Sequence, residues 1–72
     1  WSSHAEGYYT VASGDWSSHA EGNYTKAIGD YGSHAEGRYS TAGGQSSHAE
    51  GYVTTANGAY SHTQNMYTVA TE

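Results

Sequence analysis

The sequence predicts an all-β fold, a flattened parallel β-solenoid of about five 14–15-residue coils, and three observations predict it. The pentapeptide Ser-His-Ala-Glu-Gly recurs at Ser3–Gly7, Ser18–Gly22, Ser33–Gly37 and Ser47–Gly51, and a degenerate copy, Ser-His-Thr-Gln-Asn, starts at Ser61. A looser pentapeptide lies between the copies, at Thr10–Gly14, Thr25–Gly29, Ser40–Gly44, Thr54–Gly58 and Thr68–Glu72. Both obey one rule, Ser/Thr-x-Ala-x-Gly followed by two or three corner residues, so a half-repeat of about seven residues is used twice per coil. The third observation is compositional. There is no Leu, Phe, Pro or Cys, and the branched aliphatics are Val11, Ile28, Val53 and Val69 alone. Such a chain cannot build a conventional globular core. With 12% charged residues, 10 Gly and 8 Tyr it does not read as a disordered tail either. A repeat structure with a thin interior satisfies both constraints.

Each element follows from the alternation. Five residues of period two form a short strand, with Ser, Ala and Gly on one face and the two variable residues on the other. Gly then opens the corner because it tolerates positive φ. Two strands and two corners complete a coil, and stacked coils about 4.8 Å apart make a rod roughly 24 Å long. Ala12, Ala20, Ala27 and their equivalents, with small Ser, Thr and Gly neighbours, face inward, since larger side chains would push the strands apart. A few buried methyls per coil do not offset the entropy of ordering the backbone. A lone chain is therefore marginal, and an outer face must be covered. The regular repeats occupy residues 1–60. Residues 61–72 form an atypical last coil in which Gln64 and Asn65 replace Glu and Gly, read as a cap or an exit to a following domain. A chain that opens on Trp1 reads as a piece of a longer protein.

Several functions are disfavoured. Lys26 and Arg38 are the only Lys or Arg and the net charge is −5, so no phosphate-tracking patch exists and nucleic-acid binding is not expected. No apolar run reaches spanning length, which argues against membrane insertion by this segment. Without Cys there is no disulfide scaffold.

The two outward faces differ. On the first strand the outward positions are His4/Glu6, His19/Glu21, His34/Glu36 and His48/Glu50, with His62 following. On the second strand they drift, through Val11/Ser13, Lys26/Ile28, Thr41/Gly43, Thr55/Asn57 and Val69/Thr71. Solvent tolerates drift, whereas a fixed partner does not. Duplication would have copied both strands alike. The His/Glu face is therefore expected to be buried against protein and the Lys26 face to be exposed. Stacked carboxylates repel at strand spacing. They become tolerable when each Glu accepts a hydrogen bond from a His of its own or a neighbouring chain, and three chains around an axis would close that network. On this reading, protonating Glu below about pH 4 weakens assembly.

These residues carry a resemblance. Gly-x-x-Ser-x-Ala-x-Gly at a seven-residue half-period is similar to the YadA-like head repeats of trimeric autotransporter adhesins. The Ser-His-Ala-Glu-Gly variant resembles the related repeats of bacteriophage tail fibres, tailspikes and neck appendages. The resemblance spans Ser3 to Thr71 and implies a left-handed parallel β-roll assembled as a homotrimer. It departs from the pattern at the three-residue corners Asp15–Ser17 and Asp30–Gly32 and in the final copy. The function it implies is that of a non-enzymatic structural or adhesive segment of a trimeric fibre, outside the cell on a virion or a bacterial surface. A host receptor or glycan is its further partner. The alternative is the head of a bacterial trimeric adhesin that binds host or matrix surface.

Aromatic residues mark the corners. Tyr9, Tyr24, Tyr39, Val53 and Tyr67 precede each second strand, and Trp1, Trp16, Tyr31 and Tyr60 occupy the opposite corner, interrupted at Gln45–Ser46. Stacked rings would stabilise the coil, each by about 0.5–1.5 kcal/mol beyond area. An exposed ladder would instead bind glycan. The structural role is favoured for the Tyr9 column, and the choice stays open for Trp1, Trp16 and Tyr31.

Chemistry finds little support. His-x-Glu is part of the zinc deaminase signature, but the paired cysteines are missing. Three copies of one His on a trimer axis would suit an ion. A metal-free His–Glu lattice is preferred, because the Glu column already supplies partners, and no cofactor is expected. An active site needs one special place, and this pattern recurs in every coil, so no enzyme is expected. Ice binding needs a flat outward Thr array, whereas Thr10, Thr25, Thr54 and Thr68 fall on the inward phase.

Overall fold

A computed structural model describes residues 3–71 of the chain. They form ten strands and no helix: β1 (His4–Tyr8), β2 (Val11–Ala12), β3 (His19–Asn23), β4 (Lys26–Ala27), β5 (His34–Arg38), β6 (Thr41–Ala42), β7 (His48–Tyr52), β8 (Thr55–Ala56), β9 (His62–Thr63) and β10 (Val69–Ala70). The odd strands make one five-stranded sheet and the even strands another, every pairing being parallel and between successive coils. The result is a β-solenoid of about four turns, 29 × 26 × 11 Å.

The repeat explains the register. Every His, Ala, Glu and Gly of one Ser-His-Ala-Glu-Gly copy pairs with its counterpart in the next, whether the coil holds 15 residues or 14. The extra residue of the longer coils is accommodated at one corner by two consecutive left-handed residues, Trp16 and Ser17 in one coil and Tyr31 and Gly32 in the next. The shorter coils have one such residue there, Ser46 or Tyr60.

The interior is as thin as the alternation requires. Ala20, Ala27, Ala35, Ala42, Ala49 and Ala56 are fully buried, beside the buried hydroxyls of Ser18, Thr25, Ser33, Ser40, Ser47 and Thr54. Several of these hydroxyls cap the chain turning into their own strand: Ser18 Oγ donates to the Gly14 carbonyl at 3.2 Å and Ser47 Oγ to Gly44 at 2.6 Å. Thr25 and Thr54 lie on the inward phase, as expected.

Two local features differ from the alternation. The first strand runs from His to the residue after Gly, and the second is only two residues long. The second ladder stops because one alanine carbonyl serves two donors. Ser13 and Gly14 both donate to Ala27, and Ile28 and Gly29 both donate to Ala42. The same sharing recurs at Ala56 and Ala70, and it bends the chain into the corner. The glycines also differ in purpose. Gly22 does have positive φ, 123°, and a Cβ there would overlap the Gly37 carbonyl oxygen of the next coil. Gly29, on the second strand, has no positive φ. It is required by close approach alone, since a Cβ would overlap the Gly44 carbonyl oxygen.

Candidate functional site

Parallel register turns one short motif into columns. His4, His19, His34, His48 and His62 stand above one another, as do Glu6, Glu21, Glu36 and Glu50. The five imidazoles stack with centroids 4.8, 4.6, 4.5 and 4.6 Å apart and planes within 16° of parallel. That spacing is the strand spacing itself. The rungs cover one another: side-chain exposure falls from 55% and 64% for His4 and Glu6 at the edge to 30% and 34% for His34 and Glu36 inside. Within the single chain, the partial burial of this face comes from its own stacking.

Pairing along a rung is incomplete. His4 Nε2 lies 3.0 Å from Glu6 Oε1 and hydrogen-bonds to it. The next three rungs open to 3.4, 3.4 and 3.5 Å. There the Nε2 atoms of His19, His34 and His48 are shielded from solvent and have no hydrogen-bond partner. Sequence reasoning supposed that the Glu column would satisfy the His column. Alternation places both on one face, but side-chain torsions decide whether nitrogen and oxygen meet in line.

The electrostatics follow from like groups stacked on like. Glu36 is held above the usual carboxylate range, chiefly because it shares a hydrogen bond with Glu50 and because burial disfavours its charge; Glu21 adds to this, and His34 opposes it. His48 is pushed below the usual imidazole range, first by burial and then by the charges of His34 and His62, with Glu50 opposing. Both shifts favour the neutral forms. Within the single chain, protonating Glu36 relieves the repulsion of the stacked carboxylates.

Two sets of donor atoms converge across coils. His34, Glu36 and His48 form one set and His48, Glu50 and His62 the other, with the donor atoms of each set within 4.8 Å of one another.

On the opposite face Lys26 is exposed, and so are Val11 (41%), Ile28 (44%) and Val69 (65%), whereas Thr41, Gly43 and Thr55 are half-buried. At one corner Tyr9, Tyr24 and Tyr39 stack at 5.0 and 5.1 Å, each with φ near +57°. Val53 interrupts the column, and the aromatic path detours through Tyr52, edge-on to Tyr39 at 6.4 Å and to Tyr67 at 5.5 Å. The Arg38 guanidinium sits over the Tyr39 and Tyr52 rings at 5.5 and 5.7 Å. The sequence reading missed Arg38 and Tyr52. They occupy the position after Gly, whose residue changes from coil to coil as Tyr8, Asn23, Arg38 and Tyr52 and so gives no periodic signal. At the other corner Trp16 and Tyr31 stack at 6.3 Å. Ser46 breaks that column, its hydroxyl donating to the Tyr31 carbonyl, before exposed Tyr60. Trp1 lies outside the described residues. No pocket opens among the described residues.

Comparison with known proteins finds no family model, no curated protein and no solved structure that matches this chain.

Proposed function

We propose that this chain is a non-enzymatic shaft or head segment of a homotrimeric fibre, a left-handed β-roll that holds a receptor-binding end away from the surface bearing it. One observation carries the reading: the interior is a thin column of alanines, and so little apolar burial leaves a lone solenoid marginal unless further copies cover an outer face. The His/Glu ladder, constant where the opposite strand drifts, is the face that would be covered. The resemblance of the Ser-His-Ala-Glu-Gly repeat to bacteriophage fibre and appendage repeats favours a virion fibre used in host attachment. A bacterial trimeric adhesin head is the alternative, and both are extracellular. Flanking sequence separates them, through a membrane-anchor barrel in one case and a virion-attachment or chaperone domain in the other.

Analytical ultracentrifugation tests the assembly. The chain is expected to sediment at three times its own mass. Substituting His19 and His34 together with Gln, which keeps polarity but not the imidazole stack, should shift it toward monomer. A folded monomer of the unaltered chain at micromolar concentration refutes the proposal.

A further inference from the structure

The chain has seven carboxylates from Asp and Glu but only two Lys or Arg. Arg38 is engaged with Tyr39 and Tyr52, and Lys26 lies on the other sheet. Among the described residues the stacked carboxylates therefore have no fixed cation beyond the histidines. Beyond the first rung each histidine stays 3.4–3.5 Å from its glutamate, and His19, His34 and His48 Nε2 make no aligned hydrogen bond of the kind His4 makes.

The distances that are too long or misaligned for a hydrogen bond suit a shared ion. Zinc bonds of about 2.0–2.2 Å to nitrogen and oxygen, at tetrahedral angles, place neighbouring donors about 3.3 Å apart. His34 Nε2 and Glu36 Oε1 are 3.4 Å apart. His48 belongs to the same set, all of whose donor atoms are within 4.8 Å of one another. The remaining closure is a tilt of two imidazoles that now stack 4.5 Å apart and 3° from parallel. Both rings stand on the outer face, about a third exposed, where such a tilt displaces no core side chain. Two imidazoles and a carboxylate, with one position left for water or another ligand, form a donor set for zinc or a neighbouring divalent transition ion.

We propose that His34, Glu36 and His48 bind one divalent transition ion of the zinc class, bridging two successive coils of a single chain. The second set, His48, Glu50 and His62, draws on the same His48 side chain. The first is assigned because His34 and His48 both hold buried, unpartnered Nε2 atoms, whereas His62 is exposed. Bridging coils, the ion would stiffen the stack along its axis. The site uses groups of one chain and does not depend on the trimer.

Calorimetric titration of zinc chloride into the full chain, freed of metal with EDTA and exchanged into a non-chelating buffer at neutral pH, tests it. One ion per chain is expected, at micromolar affinity and undisturbed by millimolar magnesium. His34→Gln and His48→Gln should each weaken binding at least tenfold. Glu36→Gln, which preserves shape, should do the same, and circular dichroism will show that its β structure is retained. His4→Gln and His62→Gln should change affinity less than twofold. Absence of saturable binding overturns the proposal, as does one ion per three chains, which would place the metal on a symmetry axis. Equal weakening by His62→Gln and His34→Gln overturns the assignment to this set.

Discussion

Three glycine-to-alanine substitutions separate the two demands that the solenoid makes of its corners. Gly32 has φ of +80° and open space around its missing Cβ. Gly29 has no positive φ, but a Cβ there would overlap the Gly44 carbonyl oxygen. Gly22 faces both conditions at once, with φ of +123° and the Gly37 carbonyl in the way. Gly32→Ala thus isolates the conformational cost, about 1–2 kcal/mol for an L-residue held in left-handed space. Gly29→Ala isolates the overlap, about 1–3 kcal/mol when packed atoms must move apart. Gly22→Ala carries both, about 2–5 kcal/mol if they add. For a domain of this size each kcal/mol moves the melting temperature by roughly 4–8 °C. Thermal unfolding followed by circular dichroism, at one fixed chain concentration because the proposed assembly would couple to stability, reads the series directly. The order expected is Gly22→Ala worst and Gly32→Ala mildest. If all three agree within about 0.5 kcal/mol, or if Gly32→Ala is the most damaging, the close approach of coils at glycine columns is not what limits the fold.

Two further outcomes concern the ladder and one corner. Glu36 has its pKa raised above 4.5, so the stability it contributes is complete below that pH and is lost as pH rises through the raised value; His48 is lowered below 6.5, so its contribution is complete above that pH and is lost as pH falls through the lowered one. With EDTA present, Glu36→Gln should therefore raise the melting temperature near neutrality and leave it unchanged at about pH 3.5, while His48→Gln should flatten the acid-side loss. A Glu36→Gln protein that melts lower at neutral pH contradicts the sign. Val53 holds a β-branched side chain at φ of 53°, where its counterparts are Tyr. Val53→Asn, which tolerates that conformation, should stabilise by about 1 kcal/mol, visible as a higher urea midpoint.

Much of this architecture was legible because a short repeat leaves few choices. Once Ser-His-Ala-Glu-Gly is a strand, alternation places Ala20, Ala35 and Ala49 inside and His and Glu outside, and repetition stacks like on like. The break in the Trp16–Tyr31 column at Ser46 could be read in the same way. What stayed hidden lies in degrees of freedom that side-chain periodicity does not encode. The two-residue length of β4 follows from the Ala42 carbonyl accepting from both Ile28 and Gly29, a main-chain event. The orphaned nitrogen of His34 depends on torsions that swing it to 3.4 Å from Glu36 out of hydrogen-bond alignment. The detour of the aromatic path through Tyr52 arises at a position whose identity changes in every coil, so no pattern announced it.

The corner that holds Trp16 and Ser17 in one coil and Ser46 alone in another behaves as an expansion joint. A residue gained or lost there is taken up outside the paired ladders, and the columns on either side stay aligned, as His19, His34 and His48 do across coils of unequal length. The same insertion inside a strand would turn its inward alanines to solvent. The molecule thus keeps its length in whole coils, about 4.8 Å each, rather than in residues. A solenoid built this way can vary its rim from coil to coil while its length stays calibrated.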